Sequence, residues 1–152
     1  VQTCALPILE ATGLGQAEAS RFLLQRWWDQ HIGVPGLQVD NGSGLSRTGR
    51  VTAMGLAKLL QHVWASPTLP ELMASLPITG QDGTLRRSTS ASWAHLKTGS
   101  LRNVLGVAGF VDGQQGQRWI LVAIVEHSQA HASRAALDQL ITWVARLPAY
   151  QP

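Results

Sequence analysis

Lys97, Thr98 and Gly99 follow one another in residues 93–101, whose composition predicts a β-strand. On such a strand the lysine supplies a fixed positive charge, the threonine hydroxyl can hydrogen-bond a carboxylate, and the glycine lets another backbone lie close. An adjacent backbone N–H can also contribute to an oxyanion hole. These residue types suit acyl transfer to a serine. Three letters are a weak signal, however, since the same triplet also arises by chance in surface strands.

Neighbouring segments give the triplet a context. Residues 39–47 read V-D-N-G-S-G-L-S-R, and residues 76–85 read L-P-I-T-G-Q-D-G-T-L. After the triplet, Ser100 and Leu101 lead through a short connection to a second predicted strand at residues 104–111. The triplet is therefore predicted to lie on an antiparallel pair of strands.

In order and spacing, the three segments resemble the penicillin-binding protein 4 family, peptidase family S13. Residues 39–47 are similar to that family's D-G-S-G-L-S-R segment, with Asn41 as an inserted or displaced letter. Residues 76–85 resemble its L-P-x-A-G-x-D-G-T-L stretch, with Thr79 at the alanine position. The resemblance covers roughly residues 16–147. It implies an α/β (α+β) fold of the serine β-lactamase and penicillin-binding-protein transpeptidase type, an antiparallel sheet with flanking helices, along whose triplet strand a substrate adds as a further strand.

The same resemblance implies a function. It points to a serine-type D-Ala-D-Ala carboxypeptidase or endopeptidase that acts on peptidoglycan stem peptides ending in D-Ala-D-Ala through an acyl-serine intermediate. It also implies β-lactams as ligands, export to the periplasm, and neither a cofactor nor a metal. The implied site consists of catalytic Lys97, of substrate-binding Thr98, Gly99 and Ser100, and of a candidate active-site wall at Asp40, Ser43 and Arg47. Asp40 and Arg47 bracket the glycine-rich turn, so they either pair across it or position that wall.

The nucleophile of such a site does not occur in these 152 residues. No S-x-x-K is present, since Gly55 and Ala94 stand three residues before Lys58 and Lys97, and S-x-N is absent as well. Without a nucleophile and its base an acyl-enzyme cannot form, so we expect this chain alone to be inactive.

Truncation accounts for that absence, because both motifs precede D-G-S-G-L-S-R in the family. We expect residues 14–148 to be the C-terminal part of the carboxypeptidase catalytic domain. Residues 1–13 are expected to be a non-native or junction segment, and residues 149–152 a tail.

Other readings of the sequence remain open. Ser43 or Ser46 could serve as nucleophile, but G-x-S-x-G is not met because Asn41 stands at the first glycine position. A second alternative is a noncatalytic module that binds peptidoglycan peptides in the retained groove. A third is a partial reading frame with no independent role. His95 lies two residues before Lys97 and shares its strand face, where packing is the simpler explanation.

Composition excludes several classes of protein. The formal charge of +3 comes from 12 basic and 9 acidic residues, and no basic run exceeds the pair Arg86 and Arg87. Nucleic-acid binding is therefore not expected. The single cysteine, Cys4, cannot form an intrachain disulfide, and no Cys/His spacing resembles a zinc site. No run of 18 apolar residues predicts a transmembrane helix.

The apolar patterns give the elements that would position the site. They predict helices at residues 16–30, 53–64, 70–76 and 130–147, strands at residues 37–40, 93–101, 104–111 and 118–125, and a surface loop at residues 77–90. Thr52 is predicted to cap the second helix. The apolar run at residues 118–125 predicts a strand covered on both faces. Five of the six tryptophans fall in apolar-periodic segments and are expected in the core.

Overall fold

The computed structural model of the chain describes residues 15–40, 46–90 and 92–149. The chain divides after Lys58 into two compact units, each of which is described by itself. The predicted junction segment 1–13 and Ser43 lie outside the described residues, as does most of the predicted tail. None of the described helices combines the length and the apolarity that a membrane crossing requires.

The first unit is built on helix α1 (Gln16–His31), which confirms the predicted helix. The Gly15 N–H is hydrogen-bonded to the Glu18 carboxylate at its start, and Gly33 ends it with a left-handed φ of 66°. Trp28 is buried, and its indole N–H donates to the Val34 carbonyl at 2.7 Å. A Cβ at Gly55 would lie 2.8 Å from the Trp28 ring, so the close approach there requires glycine.

A β-bridge and a helix follow α1, and the helix runs past Lys58 into the second unit. The predicted strand at residues 37–40 is reduced to one antiparallel bridge, in which Gln38 and Arg50 exchange backbone hydrogen bonds of 2.8 and 2.9 Å. Helix α2 (Ala53–Trp64) begins as predicted, because the Gly55 N–H donates to the Thr52 hydroxyl at 3.0 Å.

The second unit contains helix α3 (Leu69–Ser75) and an antiparallel sheet. Its strands are β1 (Ala94–Leu101), β2 (Val104–Asp112) and β3 (Arg118–Glu126), in that spatial order. All three agree with the predicted strands to within one residue. Lys97 pairs with Ala108 and Thr98 with Val107, which fixes the triplet in register with β2.

One face of the sheet carries the main core. Leu96 of β1 and Val111 of β2 are fully buried there and pack with Ile141 of helix α4 (Arg134–Ala145). The opposite face packs around Phe110, against Leu60, Leu76 and partly buried residues of α3. Helices therefore lie on both faces of the sheet, and β1 is held between them.

Three predictions about this unit are wrong in detail. The helix predicted at residues 130–147 is a 3₁₀ turn at Ala130–Ser133 followed by α4, and it ends at Ala145. The predicted loop at residues 77–90 includes the 3₁₀ turn Gly83–Leu85. Strand β3 is not covered on both faces by the described residues, since Leu121 is buried but Ile124 is 42% exposed.

The tryptophans also depart from the expected core placement. Trp28 is buried, but Trp64, Trp93 and Trp143 are 45 to 59% exposed. A tryptophan is large enough to close an apolar surface with one edge while the other faces water. Trp64 illustrates this, because its ring packs on Phe110 with 5.6 Å between centroids, and the Arg118 guanidinium carbon lies 5.6 Å from the Trp64 ring centroid.

Candidate functional site

The outer edge of β1 is covered over its first half only. Thr79 donates its backbone N–H to the Ala94 carbonyl, and Leu96 donates to the Pro77 carbonyl, both at 3.0 Å. Because hydrogen-bonding direction alternates along an antiparallel strand, the backbone groups of Thr98 and Ser100 also point outward. No described segment pairs with this edge beyond Leu96. The triplet therefore lies where a paired edge becomes an open one.

Thr79 fixes the point where the covered edge ends. Its side chain is buried, and its hydroxyl donates to the Ser92 carbonyl at 2.6 Å while accepting the Ala94 N–H at 3.0 Å. The loop is tightened further by Asp82, whose carboxylate accepts the Ile78 N–H at 2.7 Å. The segment that ends with D-G-T-L is thus attached to the start of the Lys97 strand.

Lys97 projects from the face of β1 opposite the main core. The side chain is exposed, and its ammonium donates to the Thr98 carbonyl at 2.8 Å, directly at the open edge. His95 shares this face, as predicted, and is half-buried; its Nδ1 is buried without a hydrogen-bond partner in the described structure. The positive charge of Lys97 therefore sits next to the groups that an added strand would contact.

Thr98 and Ser100 project from the other face, and Thr98 brings two sequence motifs together. Its hydroxyl donates to the Thr84 hydroxyl oxygen at 2.7 Å. Thr84 lies in the 3₁₀ turn of the D-G-T-L segment, and sequence reasoning did not assign it to the site. The one sequence signal that could have assigned Thr84 to the site is its position in residues 76–85, the segment that resembles a family motif. Since Thr84 accepts from Thr98, its own proton remains available for a third group.

Gly99 differs from the other glycines of the sheet. A Cβ on Gly99 would meet nothing within 4 Å, whereas one on Gly109 would collide with the carbonyl oxygen of His95. Packing among the described residues thus explains glycine at position 109 but not at position 99. An unfilled space at Gly99 is what an approaching ligand backbone would require.

A cavity of about 450 Å³ lies beside the open edge, on the side of Thr98 and Ser100. Thr84 and the side chains of Leu137 and Ile141 from α4 contribute to its wall. The cavity thus joins the hydroxyl pair to an apolar floor. Pockets with apolar walls and a few convergent polar groups are typical of binding sites.

The candidate wall residues Asp40 and Arg47 lie in the first unit. The Asp40 carboxylate accepts the Ser46 hydroxyl at 2.7 Å, and the Asp40 carbonyl accepts from Arg21 at 3.2 Å. Of the two alternatives for Asp40 and Arg47, pairing across the turn is not observed, because the described contacts join the Asp40 carboxylate to Ser46 and not to Arg47. Ser46 in turn accepts the Gly49 N–H at 2.9 Å, so it acts as a turn-forming residue.

Metal ligation receives no support from the described part of the chain. No group of three or more His, Cys, Asp or Glu side chains gathers there. His131 contacts the end of the Lys97 strand instead, with its Nε2 at 2.9 Å from the Leu101 carbonyl oxygen. This histidine links the 3₁₀ turn before α4 to β1.

Comparison with known proteins relates this chain to a protein family. The profile of the D-Ala-D-Ala carboxypeptidase 3 (S13) family matches residues 11–147. The carboxypeptidase DacB of Mycolicibacterium smegmatis is 31% identical over 91% of this chain. The match spans 33% of that relative, so the chain corresponds to about a third of its length.

Solved structures share the fold. Penicillin-binding protein 4 of Haemophilus influenzae, crystallised with a β-lactam, superposes with a TM-score of 0.63 at 28% identity, over 85% of this chain and 31% of that one. An acyl-enzyme complex of PBP-A with penicillin G gives a TM-score of 0.62 at 20% identity, over 86% of this chain and 53% of that one. The predicted fold class, helices with an antiparallel sheet of the penicillin-binding-protein type, is confirmed.

Proposed function

The chain belongs to the D-Ala-D-Ala carboxypeptidase 3 (S13) family, and on this premise we propose that it supplies the substrate strand of a serine-type D-Ala-D-Ala carboxypeptidase. Residues 14–148 are then the C-terminal part of its catalytic domain. The substrates are peptidoglycan stem peptides that end in D-Ala-D-Ala, β-lactams bind at the same edge, and the parent protein works in the periplasm.

The observation that carries the proposal is the open edge of β1 beyond Leu96. It offers the outward backbone groups of Thr98 and Ser100, the Lys97 ammonium at that edge, and an unobstructed Gly99. A peptide in extended conformation can add there as a further antiparallel strand. Strand addition holds the ligand backbone by main-chain hydrogen bonds, and side chains beside the edge then select its end group.

Each residue of the triplet strand has a role in the proposed reaction. Lys97 holds positive charge close to the reacting serine and the ligand carboxylate. Thr98 donates a hydrogen bond to that carboxylate, and in that state it accepts from Thr84 instead of donating to it. The outward N–H of Ser100 is placed to stabilise the oxyanion that forms when the scissile carbonyl is attacked. Gly99 leaves room for the ligand backbone.

The reaction itself needs a serine that this sequence does not supply within an S-x-x-K motif. In the proposed mechanism, a serine oxygen attacks the carbonyl between the two D-alanines, the terminal D-alanine leaves with a proton, and water later hydrolyses the acyl ester. This chain contributes binding and charge stabilisation to those steps. By itself it is proposed to be inactive.

A noncatalytic module that binds peptidoglycan peptides is the second candidate, favoured by the absence of S-x-x-K and S-x-N from these 152 residues. Both candidates predict peptide binding at β1. The sequence of the parent gene distinguishes them, because S-x-x-K and S-x-N motifs in frame upstream would identify the enzyme.

Peptide binding to the chain tests the proposal. Titration calorimetry with diacetyl-L-lysyl-D-alanyl-D-alanine should detect noncovalent binding that Lys97→Ala and Thr98→Ala each weaken about tenfold or more, the loss expected for a charge-assisted hydrogen bond. Lys58→Ala, which removes the other lysine, is the matched control and should leave the affinity unchanged. Equal affinity in the Lys97 and Thr98 variants would contradict the assignment of the site.

A further inference from the structure

The cavity beside Thr98 and Ser100 has a strongly unequal charge. Besides the two hydroxyl residues, its lining includes Arg86, Arg87 and Arg134. Asp138 is the only acidic residue in that lining. Three guanidinium groups against one carboxylate leave an excess of two positive charges, although the basic residues are scattered along the sequence.

Asp138 is already engaged elsewhere. One of its oxygens accepts the Ser88 hydroxyl at 2.7 Å, and the other accepts both the backbone N–H and the hydroxyl of Thr89 at 3.0 Å. Its contacts hold the loop after the Arg86–Arg87 pair against α4. The carboxylate therefore holds the loop that carries two of the arginines and makes no direct contact with the three guanidinium groups.

The side chains of the three arginines make no ion pair or hydrogen bond with other described residues, unlike Arg118, which pairs with Asp112. All three are exposed, so they remain hydrated and can move toward a ligand. The cavity that they border opens next to the hydroxyls of Thr98 and Ser100. Positive charge around a pocket with convergent hydroxyl groups suits a carboxylate.

From this geometry we infer that Arg86, Arg87 and Arg134 select ligands whose end at β1 bears a free carboxylate. The inference rests on the proposed function and sharpens it: the site prefers a C-terminal D-alanine, the substrate of a carboxypeptidase, over an internal D-alanyl cross-link, the substrate of an endopeptidase. A cross-linked peptide places an uncharged amide at the cavity and gains nothing from the three charges.

The arginines act as specificity-determining residues through the charge of the ligand. An exposed pair between arginine and a carboxylate changes affinity by about 1.5- to 5-fold, so three such pairs together change it by roughly 3- to 100-fold, a range that includes the tenfold effect expected here. The preference should weaken as salt is added, since ions screen exposed charges. Affinity for an uncharged ligand should depend on neither the arginines nor the salt.

Calorimetry with diacetyl-L-lysyl-D-alanyl-D-alanine and with its C-terminal amide tests this. The wild-type chain should bind the acid at least about tenfold more tightly than the amide at low sodium chloride. In Arg86→Gln/Arg87→Gln/Arg134→Gln the affinity for the acid should fall about tenfold, which leaves the preference that Lys97 and Thr98 supply, while the amide affinity stays constant. Each single variant should give part of the effect. Arg146→Gln, an exposed arginine of the same unit outside the cavity lining, is the control and should retain the full preference.

The outcomes separate the two claims. A preference for the acid that the triple substitution leaves undiminished would overturn the inference and leave the proposed function standing. Equal binding of acid and amide to the wild-type chain would overturn the inference together with the carboxylate contacts of Lys97 and Thr98, but it would leave strand addition at β1 standing if both ligands still depended on Lys97. A wild-type chain that binds neither peptide would overturn the proposed function and the inference with it.

Discussion

The hydroxyl of Thr98 donates to the hydroxyl of Thr84 at 2.7 Å, and this bond joins the strand of Lys97 to the 3₁₀ turn at Gly83–Leu85. Thr84 keeps a free proton when it accepts from Thr98. When Thr98 turns its proton to a ligand carboxylate, Thr84 can donate to the Thr98 oxygen instead, so Thr84 keeps the Thr98 hydroxyl oriented toward the ligand. Thr84 extends the substrate site beyond the three letters of the triplet.

Replacing Thr84 should weaken peptide binding through Thr98. In Thr84→Val the hydroxyl of Thr98 loses its partner and its fixed orientation, and affinity for the D-Ala-D-Ala peptide should fall about fivefold, the loss expected for one hydrogen bond. Calorimetry on Thr84→Val, Thr98→Val and the double variant forms a cycle. The double variant should bind no more weakly than Thr98→Val alone. Losses that multiply would mean that the two threonines act separately.

Gly99 and Gly109 should respond in opposite ways to alanine. Gly99→Ala should leave the free energy of unfolding within about 0.5 kcal/mol of wild type, because the Cβ enters open space, yet it should weaken peptide binding about fivefold or more. Gly109→Ala should cost about 2 kcal/mol or more, because its Cβ meets the His95 carbonyl. Urea denaturation measures the first quantity and calorimetry the second. Unaltered peptide affinity in Gly99→Ala would argue against close approach of a ligand backbone.

Thr79 should contribute measurably to stability. Thr79→Val keeps the side-chain volume but deprives the Ala94 N–H and the Ser92 carbonyl of their partner, which should cost about 1–3 kcal/mol in urea denaturation. Thr79→Ser keeps both hydrogen bonds and should recover most of that loss. If Val and Ser variants unfold at the same urea concentration, the hydroxyl does not anchor the start of β1.

Covalent labelling should fail with this chain alone. After incubation with a fluorescent penicillin, intact-mass measurement should show no adduct, because no serine stands in an S-x-x-K motif. An adduct on Ser43 or Ser46 would instead establish one of these serines as the nucleophile and would refute the proposed inactivity.

Local patterns in the sequence predicted the strands and the capped helix well. Lys97, Thr98 and Gly99 could be placed on β1 because alternation and flanking turns mark a strand without any knowledge of distant residues. The Thr52 cap is equally local, since the hydroxyl acts on an N–H three residues later.

Relationships between distant residues escaped prediction. Thr84 and Thr98 are separated by 14 residues, and only the folded loop brings them together. Arg134 of α4 lines the same cavity as Arg86 and Arg87. The two segments meet there because Asp138 of α4 accepts a hydrogen bond from Ser88, the residue after Arg87. A sequence also does not reveal which of several nearby partners a side chain binds. The Asp40 carboxylate, for example, accepts a hydrogen bond from Ser46 and does not pair with Arg47.

The most direct test of the account is to map peptide binding on the backbone amides of the ¹⁵N-labelled chain. Addition of diacetyl-L-lysyl-D-alanyl-D-alanine should shift the amide resonances of Thr98 and Ser100 most, because their N–H groups point outward from the open edge of β1. Lys97→Ala should reduce those shifts at the same peptide concentration. Shifts confined to other parts of the chain, with Thr98 and Ser100 unaffected, would contradict the assignment of β1 as the substrate strand.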